Sequence, residues 1–325
     1  MSQNELTATW RKSGNQMISF ILPVYNEEES LPELYSRITE VMAEVDREYE
    51  ILFINDGSTD CSPDVINGFR DNDPKVKVIN LRKNFGKSSA LQVGFENAKG
   101  EIIFTLDSDL QDDPAEIPNF LKEIEAGNDL VTGWKVNRKD PKEKTIPSKV
   151  FNYFVSKMSG LKLNDYNCGF KCYTRQLTRE LHLYGELHRF VPFLAHKKGF
   201  KVKEIPVLHH ERKYGSSKFG FERYARGFFD LLTVVFLTNY LHRPMHLFGW
   251  AGSAFFFSGL AIFSYLFFGR WIFGESIGTS PLFTISIFLT GIGTQIYIAG
   301  LVAELIVHNK ERRDINSYSI RDDNP

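Results

Sequence analysis

Two long uncharged stretches near the end of the chain restrict its fold most strongly. Residues 247–268 contain no charged side chain, and neither do residues 281–303. A helix needs about 20 apolar residues to cross the hydrocarbon core of a bilayer. A surface helix of a water-soluble domain would show a polar face within such a length. The sequence therefore predicts two transmembrane helices, at about 247–268 and 281–305.

The charges beside these stretches predict their orientation. The connecting segment 269–280 carries Arg270 as its single positive charge. The other nearby positive charges lie on the opposite sides of the two spans, at Arg243, Lys310, Arg312 and Arg313. Because cytoplasmic segments are enriched in Lys and Arg, we expect an inner- or plasma-membrane protein whose preceding domain and both termini are cytoplasmic.

The composition of the segments outside the two spans predicts what each of them forms. Residues 1–16 are polar and lack the apolar core of a signal peptide, and residues 309–325 form a polar tail. Residues 221–245 carry charges at first and are apolar afterwards, which fits an interfacial helix or a helix packed on the preceding domain. Gly291 and Gly293 would allow close helix packing, within the chain or in a homo-oligomer.

Residues 17–220 alternate between short apolar runs and amphipathic segments. Strands are predicted at 17–24, 50–54, 76–81, 102–106 and 130–134, with helices from about Leu31 to Val45 and up to about Ala98. Such alternation predicts a Rossmann-like α/β domain with a mainly parallel sheet, whose loops gather at one edge.

Two carboxylates follow the strand at 102–106. Asp107 and Asp109 are two residues apart, so in extended chain they would point to one side and repel each other unless a cation lies between them. With the Gln111 carbonyl as a third oxygen donor, they suit Mg²⁺ or Mn²⁺ bound together with substrate phosphates. A solvated acidic loop is the alternative, but the carboxyl end of a buried strand is where open α/β sheets bind ligands.

Other patterns exclude several classes of protein. Gly86-Lys87-Ser88 lacks the earlier glycine of a P-loop, although Lys87 remains a candidate phosphate contact. No Gly-x-Gly-x-x-Gly follows the first strand, which argues against a nicotinamide dehydrogenase. The net charge of −1 gives no basic field for nucleic acid. Three cysteines provide neither a disulfide framework nor a zinc motif.

Four motifs stand in an order that resembles family 2 glycosyltransferases. They are Leu-Pro-Val-Tyr-Asn-Glu-Glu at 22–28, Asn-Asp-Gly-Ser-Thr-Asp at 55–60, Asn-Phe-Gly-Lys at 84–87 and Leu-Asp-Ser-Asp-Leu-Gln-Asp-Asp-Pro at 106–114. The chain is most similar to the branch with dolichol-phosphate mannose synthase and bacterial polyprenyl-phosphate glycosyltransferases, and the resemblance extends from about residue 18 to 218.

This resemblance implies a GT-A fold that binds a nucleotide-diphosphate sugar through a divalent metal. Residues 17–220 would be the catalytic domain. Asp107, Asp109 and Gln111 would hold the metal against the diphosphate. The residues implied to contact the nucleotide are Pro23, Tyr25, Glu27, Asp56, Lys87, Asp107 and Ser108.

The resemblance also implies that three later segments form the acceptor side of the site. Arg138 lies in the charged run 135–144; such a run is usually only a solvated face, but the resemblance implies a loop that covers the site. Asp165 belongs to an Asp-x-x-Ser-Gly-Phe-like element, in which Cys168 replaces the serine, and it would act as a base, orient the acceptor or cap a turn. The third segment resembles Arg-x-x-Gly-x-Ser-Lys, and its Arg212, Ser217 and Lys218 would make charge-assisted bonds to phosphate. His209 and His210, just upstream, are expected to end a strand rather than to bind a ligand.

The sequence therefore predicts an inverting glycosyltransferase that moves a sugar to polyprenyl phosphate at the cytoplasmic face. UDP-glucose is weakly preferred over GDP-mannose as donor, by analogy with bacterial relatives. One alternative is a processive polysaccharide synthase, which the absence of Gln-x-x-Arg-Trp disfavours. The other is a non-catalytic membrane-anchored binding or scaffold protein, which the complete Asp107, Asp109 and Gln111 set disfavours.

Overall fold

A computed structural model describes residues 16–136, 156, 160–210, 213, 244–273 and 280–313. These residues belong to two compact units, the first ending in the described part at Lys213 and the second beginning at Pro244. The predicted boundaries at 16, 220, 245 and 308 remain predictions.

The first unit is an α/β domain built on seven strands. The strands are β1 (Ile18–Val24), β2 (Tyr49–Asn55), β3 (Val76–Asn80), β4 (Ile102–Thr105), β5 (Leu130–Lys135), β6 (Lys171–Thr174) and β7 (Val202–Val207). The helices are α1 (Leu31–Val45), α2 (Ser62–Asn72), α3 (Lys87–Asn97), α4 (Ile117–Glu125), α5 (Arg175–Glu180) and α6 (Val191–Lys197), with 3-10 turns at Pro114–Glu116 and Leu187–Phe190.

The sheet is mainly parallel, as predicted, with one antiparallel strand. The strand order is β3-β2-β1-β4-β6-β5-β7. Strand β6 runs antiparallel to both β4 and β5, whereas every other neighbouring pair is parallel. Parallel strands need crossover helices on the faces of the sheet, so β1 and β2 are buried along nearly their whole length.

Residues of this domain pack into one aromatic-rich core. Phe104 on the central strand β4 stacks with Phe20 of β1 and contacts Phe120 of α4. Phe120 in turn stacks with Phe170, which stands directly before β6. Since the central strands are held from both sides, their carboxyl ends provide a rigid base for the loops that follow.

The second unit consists of two helices, α7 (Pro244–Phe273) and α8 (Pro281–Arg313). Both are long and apolar enough to span a membrane over Pro244–Ile272 and Pro281–Val307. Only 11% and 17% of their most apolar windows is buried, whereas a core helix of a soluble protein would be mostly covered. Helix α7 extends to Phe273, so Arg270 belongs to its last turn and not to the connecting loop as predicted.

Small residues bring the two helices of this unit together. A Cβ atom on Gly293 would lie 2.5 Å from the backbone nitrogen of Phe256, so only glycine fits at that position. Gly291, by contrast, has open space around its Cα. Of the two glycines expected to allow close packing, Gly293 therefore does so, and it packs against α7 of the same chain.

Candidate active site

Three of the four sequence motifs lie in loops at the carboxyl ends of β1, β2 and β4, and the motif at 84–87 lies between β3 and α3. The parallel register pairs Val24 with Asn55, and Ile21 with Thr105, so these three strands finish at the same edge. This edge is where ligands bind in open α/β sheets. Motifs that are far apart in sequence are thereby brought together.

The first two loops are interlocked by hydrogen bonds. The Asn26 side-chain oxygen accepts the Thr59 backbone N–H at 2.7 Å, and the Glu27 N–H donates to Ser62 Oγ at 2.9 Å. Asn26 has a φ of 55°, which asparagine tolerates better than most residues. The Tyr-Asn-Glu-Glu motif thus builds the loop framework, while Tyr25 is left 37% exposed at the edge.

Asp56 connects the second loop to the amino end of α3. Its carboxylate oxygens accept the backbone N–H groups of Phe85 at 2.7 Å and Gly86 at 2.9 Å. Burial raises the pKa of this carboxyl, and the two backbone hydrogen bonds partly offset that effect. Asp56 therefore holds the segment that presents Lys87, in addition to any contact with a nucleoside.

Lys87 and Asp107 form an ion pair between α3 and the end of β4. Burial alone would raise the pKa of Asp107. The positive charge and hydrogen bond of Lys87, followed by the charges of Lys135 and Lys171, overcome that effect and lower the pKa to about 2. Asp107 is therefore ionised at neutral pH, as a metal ligand must be.

Gly169 leaves room for this carboxylate. A Cβ atom at position 169 would lie 2.4 Å from Asp107 Oδ2. The Gly169 carbonyl also accepts a hydrogen bond from Thr105 Oγ1 at 2.9 Å, which fixes the segment against β4. A glycine is required here because no side chain fits between the backbone and Asp107.

The loop after β4 is a turn and not extended chain. Strand β4 ends at Thr105, and Leu110, which is buried, has a φ of 59°. The premise that Asp107 and Asp109 lie in extended chain was therefore wrong, because Ser108 and Asp109 form a turn. Asp109 is buried, and its Oδ1 accepts the Gln111 N–H at 3.2 Å. A left-handed leucine is strained, and such strain is concentrated at functional sites.

Ser108 braces this turn against the first loop. Its hydroxyl donates to the Pro23 carbonyl at 2.8 Å, and its own carbonyl accepts the Ser30 hydroxyl at 2.6 Å. Pro23 and Ser108, both predicted to contact nucleotide, are therefore adjacent. The structure brings the candidate nucleotide residues of the first loop beside the candidate metal residues.

The donor set fits a divalent metal that shares its ligands with a substrate. Among residues 16–136, 160–210 and the helical unit, no three His, Cys, Asp or Glu side chains converge as a cation site. Mg²⁺ usually takes one or two carboxylates and obtains its other ligands from water and phosphates. Asp107 and Asp109, with the Gln111 amide, match that requirement.

Asp112 and Lys135 form a buried ion pair beside this loop. Their charged atoms are 3.1 Å apart, and the side chains are 0% and 12% exposed. Burial tends to lower the pKa of Lys135, but the charge and hydrogen bond of Asp112, together with the nearby Cys168 and Asp107, outweigh burial and raise the pKa. The sequence placed Lys135 at the start of a charged loop, and it is instead the last residue of β5.

Asp165 lies in a buried turn. Its Oδ1 accepts the Asn167 N–H at 3.0 Å, and its own N–H donates to Glu204 at 2.8 Å. Of the roles that the sequence left open for Asp165, this geometry supports turn formation. Cys168 and Cys172 are free and buried, and Cys172 lies on β6.

Two groups near the site were not predicted from the sequence, the buried Lys171 and the half-buried His188. Lys171 is 4% exposed, donates to the Cys168 carbonyl, and has a pKa that burial lowers. His188 is hydrogen-bonded to Ser88 Oγ at 2.9 Å, and burial followed by the charge of Lys87 lowers its pKa well below the usual range. The available sequence signal for His188 was that its partner Ser88 directly follows Lys87. Neither His188 nor Lys171 stands in a motif.

The acceptor residues predicted from the sequence lie outside the described residues. These are Arg138, Arg212, Ser217 and Lys218. The described parts of the chain next to them end at Val136, at His210 and at the single residue Lys213.

Comparison with known proteins decides the family. Residues 19–182 match the model of glycosyl transferase family 2. The chain belongs to that family. This glycosyltransferase is also 35% identical over 312 residues to dodecaprenyl-phosphate galacturonate synthase of Rhizobium johnstonii, with 94% of this chain and 92% of the relative covered.

A second relative agrees with this assignment, and two solved structures share the fold of this chain. Undecaprenyl-phosphate 4-deoxy-4-formamido-L-arabinose transferase of Photorhabdus laumondii is 35% identical, covering 89% of this chain and 88% of its own. Glucosyl-3-phosphoglycerate synthase from Mycobacterium tuberculosis, solved with Mn²⁺ and UDP-glucose, gives a TM-score of 0.53 at 18% identity, covering 73% of this chain and 83% of its own. Mannosyl-3-phosphoglycerate synthase from Rubrobacter xylanophilus gives a TM-score of 0.56 at 14% identity, covering 72% of this chain and 75% of its own. The two structures confirm the GT-A-like fold of this glycosyltransferase.

Proposed function

We propose that this glycosyltransferase moves a sugar from a nucleotide-diphosphate donor to a polyprenyl phosphate, with inversion at the anomeric carbon. The observation that carries the proposal is the ionised Asp107 beside Lys87 at the carboxyl end of β4. A carboxylate and a lysine ammonium at this edge suit a metal-bound diphosphate. Two relatives aligned over most of the chain are named for transfer to polyprenyl phosphates.

Asp107, Asp109 and Gln111 would hold Mg²⁺ or Mn²⁺ together with the donor diphosphate. The metal, when bound, would offset the negative charge that grows on the leaving diphosphate. Lys87 forms an ion pair with Asp107. With a donor present, its ammonium would turn to a phosphate oxygen, because a lysine is a flexible point charge.

The nucleoside would be held by the interlocked loops after β1 and β2. Pro23, Tyr25, Glu27, Asp56 and Ser108 are our candidates, and the exposed ring of Tyr25 offers a surface on which a base could stack. UDP-glucose is the first donor to test, ahead of GDP-mannose. One solved structure with the same fold contains Mn²⁺ and UDP-glucose.

The acceptor phosphate would attack directly. One of its oxygens forms a bond to the anomeric carbon while the bond from that carbon to the diphosphate oxygen breaks, and a nucleoside diphosphate leaves. A phosphate monoester is largely ionised at neutral pH, so the attack needs no general base. It needs cations that offset its repulsion from the donor, a role we propose for Arg138, Arg212 and Lys218, with Ser217 as a hydrogen-bond donor. Asp165 would then shape the site rather than accept a proton.

A transfer assay tests this function. The purified full chain in detergent would receive Mg²⁺ or Mn²⁺, undecaprenyl phosphate and a panel of labelled UDP- and GDP-sugars. Label in a single lipid product, lost on chelation, is the expected result. Label in a growing water-soluble polymer would instead indicate a processive synthase, and nucleotide binding without turnover would indicate a scaffold protein.

A further inference from the structure

The 3-10 turn Leu187–Phe190 is attached to the amino end of helix α3. The His188 backbone N–H donates to Ser88 Oγ at 3.1 Å, and Nδ1 of the His188 ring lies 2.9 Å from the same oxygen. One turn farther along α3, the Gln92 side-chain oxygen accepts the Leu183 N–H at 2.8 Å. Ser88 and Gln92 are four residues apart and therefore lie on one face of the helix. The connection between α5 and α6 thus packs along that face.

The contacts of Ser88 determine which nitrogen of the His188 ring carries the proton. Ser88 is fully buried, so its hydroxyl hydrogen needs an acceptor. The oxygen already accepts the His188 backbone N–H, so the hydroxyl donates to Nδ1, and Nε2 carries the proton of the neutral ring. Burial, followed by the positive charges of Lys87, Arg189 and Lys171, lowers the pKa of this ring well below its usual range. The ring is therefore neutral at pH 7.

Lys87 stands between two residues that are held by different parts of the chain. Before it, the Gly86 N–H donates to Asp56 Oδ2 at 2.9 Å. After it, Ser88 is held by the two contacts with the 3-10 turn. Gly86 is the N-cap of α3 and has no side chain that could cap the helix, so contacts from outside the helix hold its first turn. From this turn the Lys87 side chain reaches Asp107.

We propose that His188 is a positioning residue of the donor side, which holds the first turn of α3 through Ser88 so that Lys87 meets the donor diphosphate. This inference rests on the proposed function, in which Lys87 turns from Asp107 to a phosphate oxygen. Lysine has a long and flexible side chain, so the position of its ammonium depends on how firmly its backbone is held. When the contact is lost, Lys87 samples more positions and stabilises the leaving diphosphate less well.

The first test measures transfer kinetics for His188→Ala, with His182→Ala as the matched control. His182 is an exposed histidine in the same connection. We expect kcat/KM for the donor to fall about tenfold in His188→Ala, because a misplacement of about 1 Å can reduce a rate about 100-fold. The KM for undecaprenyl phosphate should stay within about twofold, since the contact lies on the donor side. The control should match the wild type.

Two conservative variants separate positioning from direct contact with the substrate. The amide oxygen of His188→Asn can take the place of Nδ1 and accept the Ser88 hydroxyl, whereas the longer side chain of His188→Gln reaches the place of Nε2. We expect His188→Asn to restore most of the donor kcat/KM and His188→Gln to stay as slow as His188→Ala. Rescue by His188→Gln, or no rescue by His188→Asn, would overturn the positioning role. If His188→Ala does not fold, this pair decides the question.

A double-mutant cycle tests whether His188 acts through Lys87. Lys87→Met removes the ammonium, so adding His188→Ala to it should cause almost no further loss. Ser88→Ala removes the same contact as His188→Ala, and the losses from these two changes should not add either. Single turnovers with excess enzyme keep slow variants measurable, and thermal unfolding in detergent checks that each variant is folded at the assay temperature.

The outcomes distinguish this inference from the function on which it rests. If the wild type transfers no sugar to undecaprenyl phosphate, the proposed function is wrong and the inference is overturned with it. If the wild type is active but His188→Ala keeps its donor kcat/KM, only the inference is overturned. A rise in the acceptor KM with an unchanged donor kcat/KM would also overturn it, as would losses from His188→Ala and Lys87→Met that simply add.

Discussion

At the scale of single residues, the site depends on one carboxylate and the groups that hold it. Asp107 was found from its place after an apolar strand, because carboxylates at strand ends are a local pattern. Gly169 and Lys171, which shape the space and the charge around it, come from a part of the chain more than 60 residues later. Their contacts with Asp107 exist only because β6 pairs antiparallel with β4. A pairing of that kind leaves no local signal in the sequence.

Gly169→Ala tests the space around Asp107. The new Cβ would meet Asp107 Oδ2 at 2.4 Å, so the carboxylate must move. A misplacement of about 1 Å can reduce an enzyme's rate about 100-fold, and we expect a loss of transfer of at least about tenfold.

Gly68→Ala is the control, because Gly68 lies in α2 with open space around it. Its activity should be unchanged and its melting temperature equal or higher. Normal activity of Gly169→Ala would contradict the arrangement.

The environment of Glu50 allows a prediction of how the stability of the fold depends on pH. Its carboxylate is buried and accepts hydrogen bonds from Ser19 at 2.7 Å, from the Lys99 N–H at 2.6 Å and from Lys77. Burial would raise its pKa, but Lys77, Ser19 and the Lys99 N–H together lower it. A lowered folded-state pKa gives stability that is present above about pH 4.3, the value of an unperturbed glutamate, and is lost as the pH falls below it.

The measurement for Glu50 is thermal unfolding of the full chain in detergent between pH 7 and pH 3.5. The wild type should lose stability below about pH 4.3 more steeply than Glu50→Gln, which has no proton to gain there. Glu40→Gln, at an exposed carboxylate on α1, is the control and should follow the wild type. Parallel curves for the wild type and Glu50→Gln would contradict the assignment.

At the scale of elements, regular patterns were predicted well. Helix α1 has the predicted bounds, Leu31–Val45, since its apolar residues repeat with helical spacing and Leu31, Leu34, Ile38 and Met42 are buried. The first four strands agree with prediction to within a residue or two. Lys135 was misread because a run of charges follows it, and such runs usually lie in water. Its buried partner Asp112 could not be identified without the fold.

The helical hairpin gives a prediction with an internal control. Gly293→Ala would place a Cβ 2.5 Å from the Phe256 backbone and force α7 and α8 apart. We expect a lower melting temperature in detergent, because close approach between small residues supplies much of the packing between membrane helices. Gly291→Ala, where space is open, should have no such effect. Equal melting temperatures for both variants would show that this packing is not needed.

At the scale of the whole molecule, the sequence predicted a catalytic unit followed by two spans, and the structure describes these as separate compact units. The family and the GT-A-like fold were predicted because the motifs follow strand ends in a fixed order. The donor sugar was beyond sequence reasoning, because it depends on the shape of a pocket built from several loops.

The topology that we propose places the catalytic unit and both termini in the cytoplasm. A single cysteine in the segment 274–279, in a chain whose three native cysteines are replaced, should react with a membrane-impermeant thiol reagent added to intact spheroplasts. A cysteine in the N-terminal tail should react only after permeabilisation. The reversed pattern would contradict the orientation drawn from Arg243, Lys310, Arg312 and Arg313.

Transfer by Asp107→Asn, measured beside the wild type with the best donor and undecaprenyl phosphate, tests the central claim most directly. The amide keeps the shape of the side chain but removes the charge that pairs with Lys87 and would bind the metal. We predict a fall in kcat of at least about 100-fold, as when one group that stabilises transition-state charge is lost, while Asp71→Asn, at an exposed carboxylate, stays active. An Asp107→Asn enzyme that transfers sugar at the wild-type rate would contradict the account.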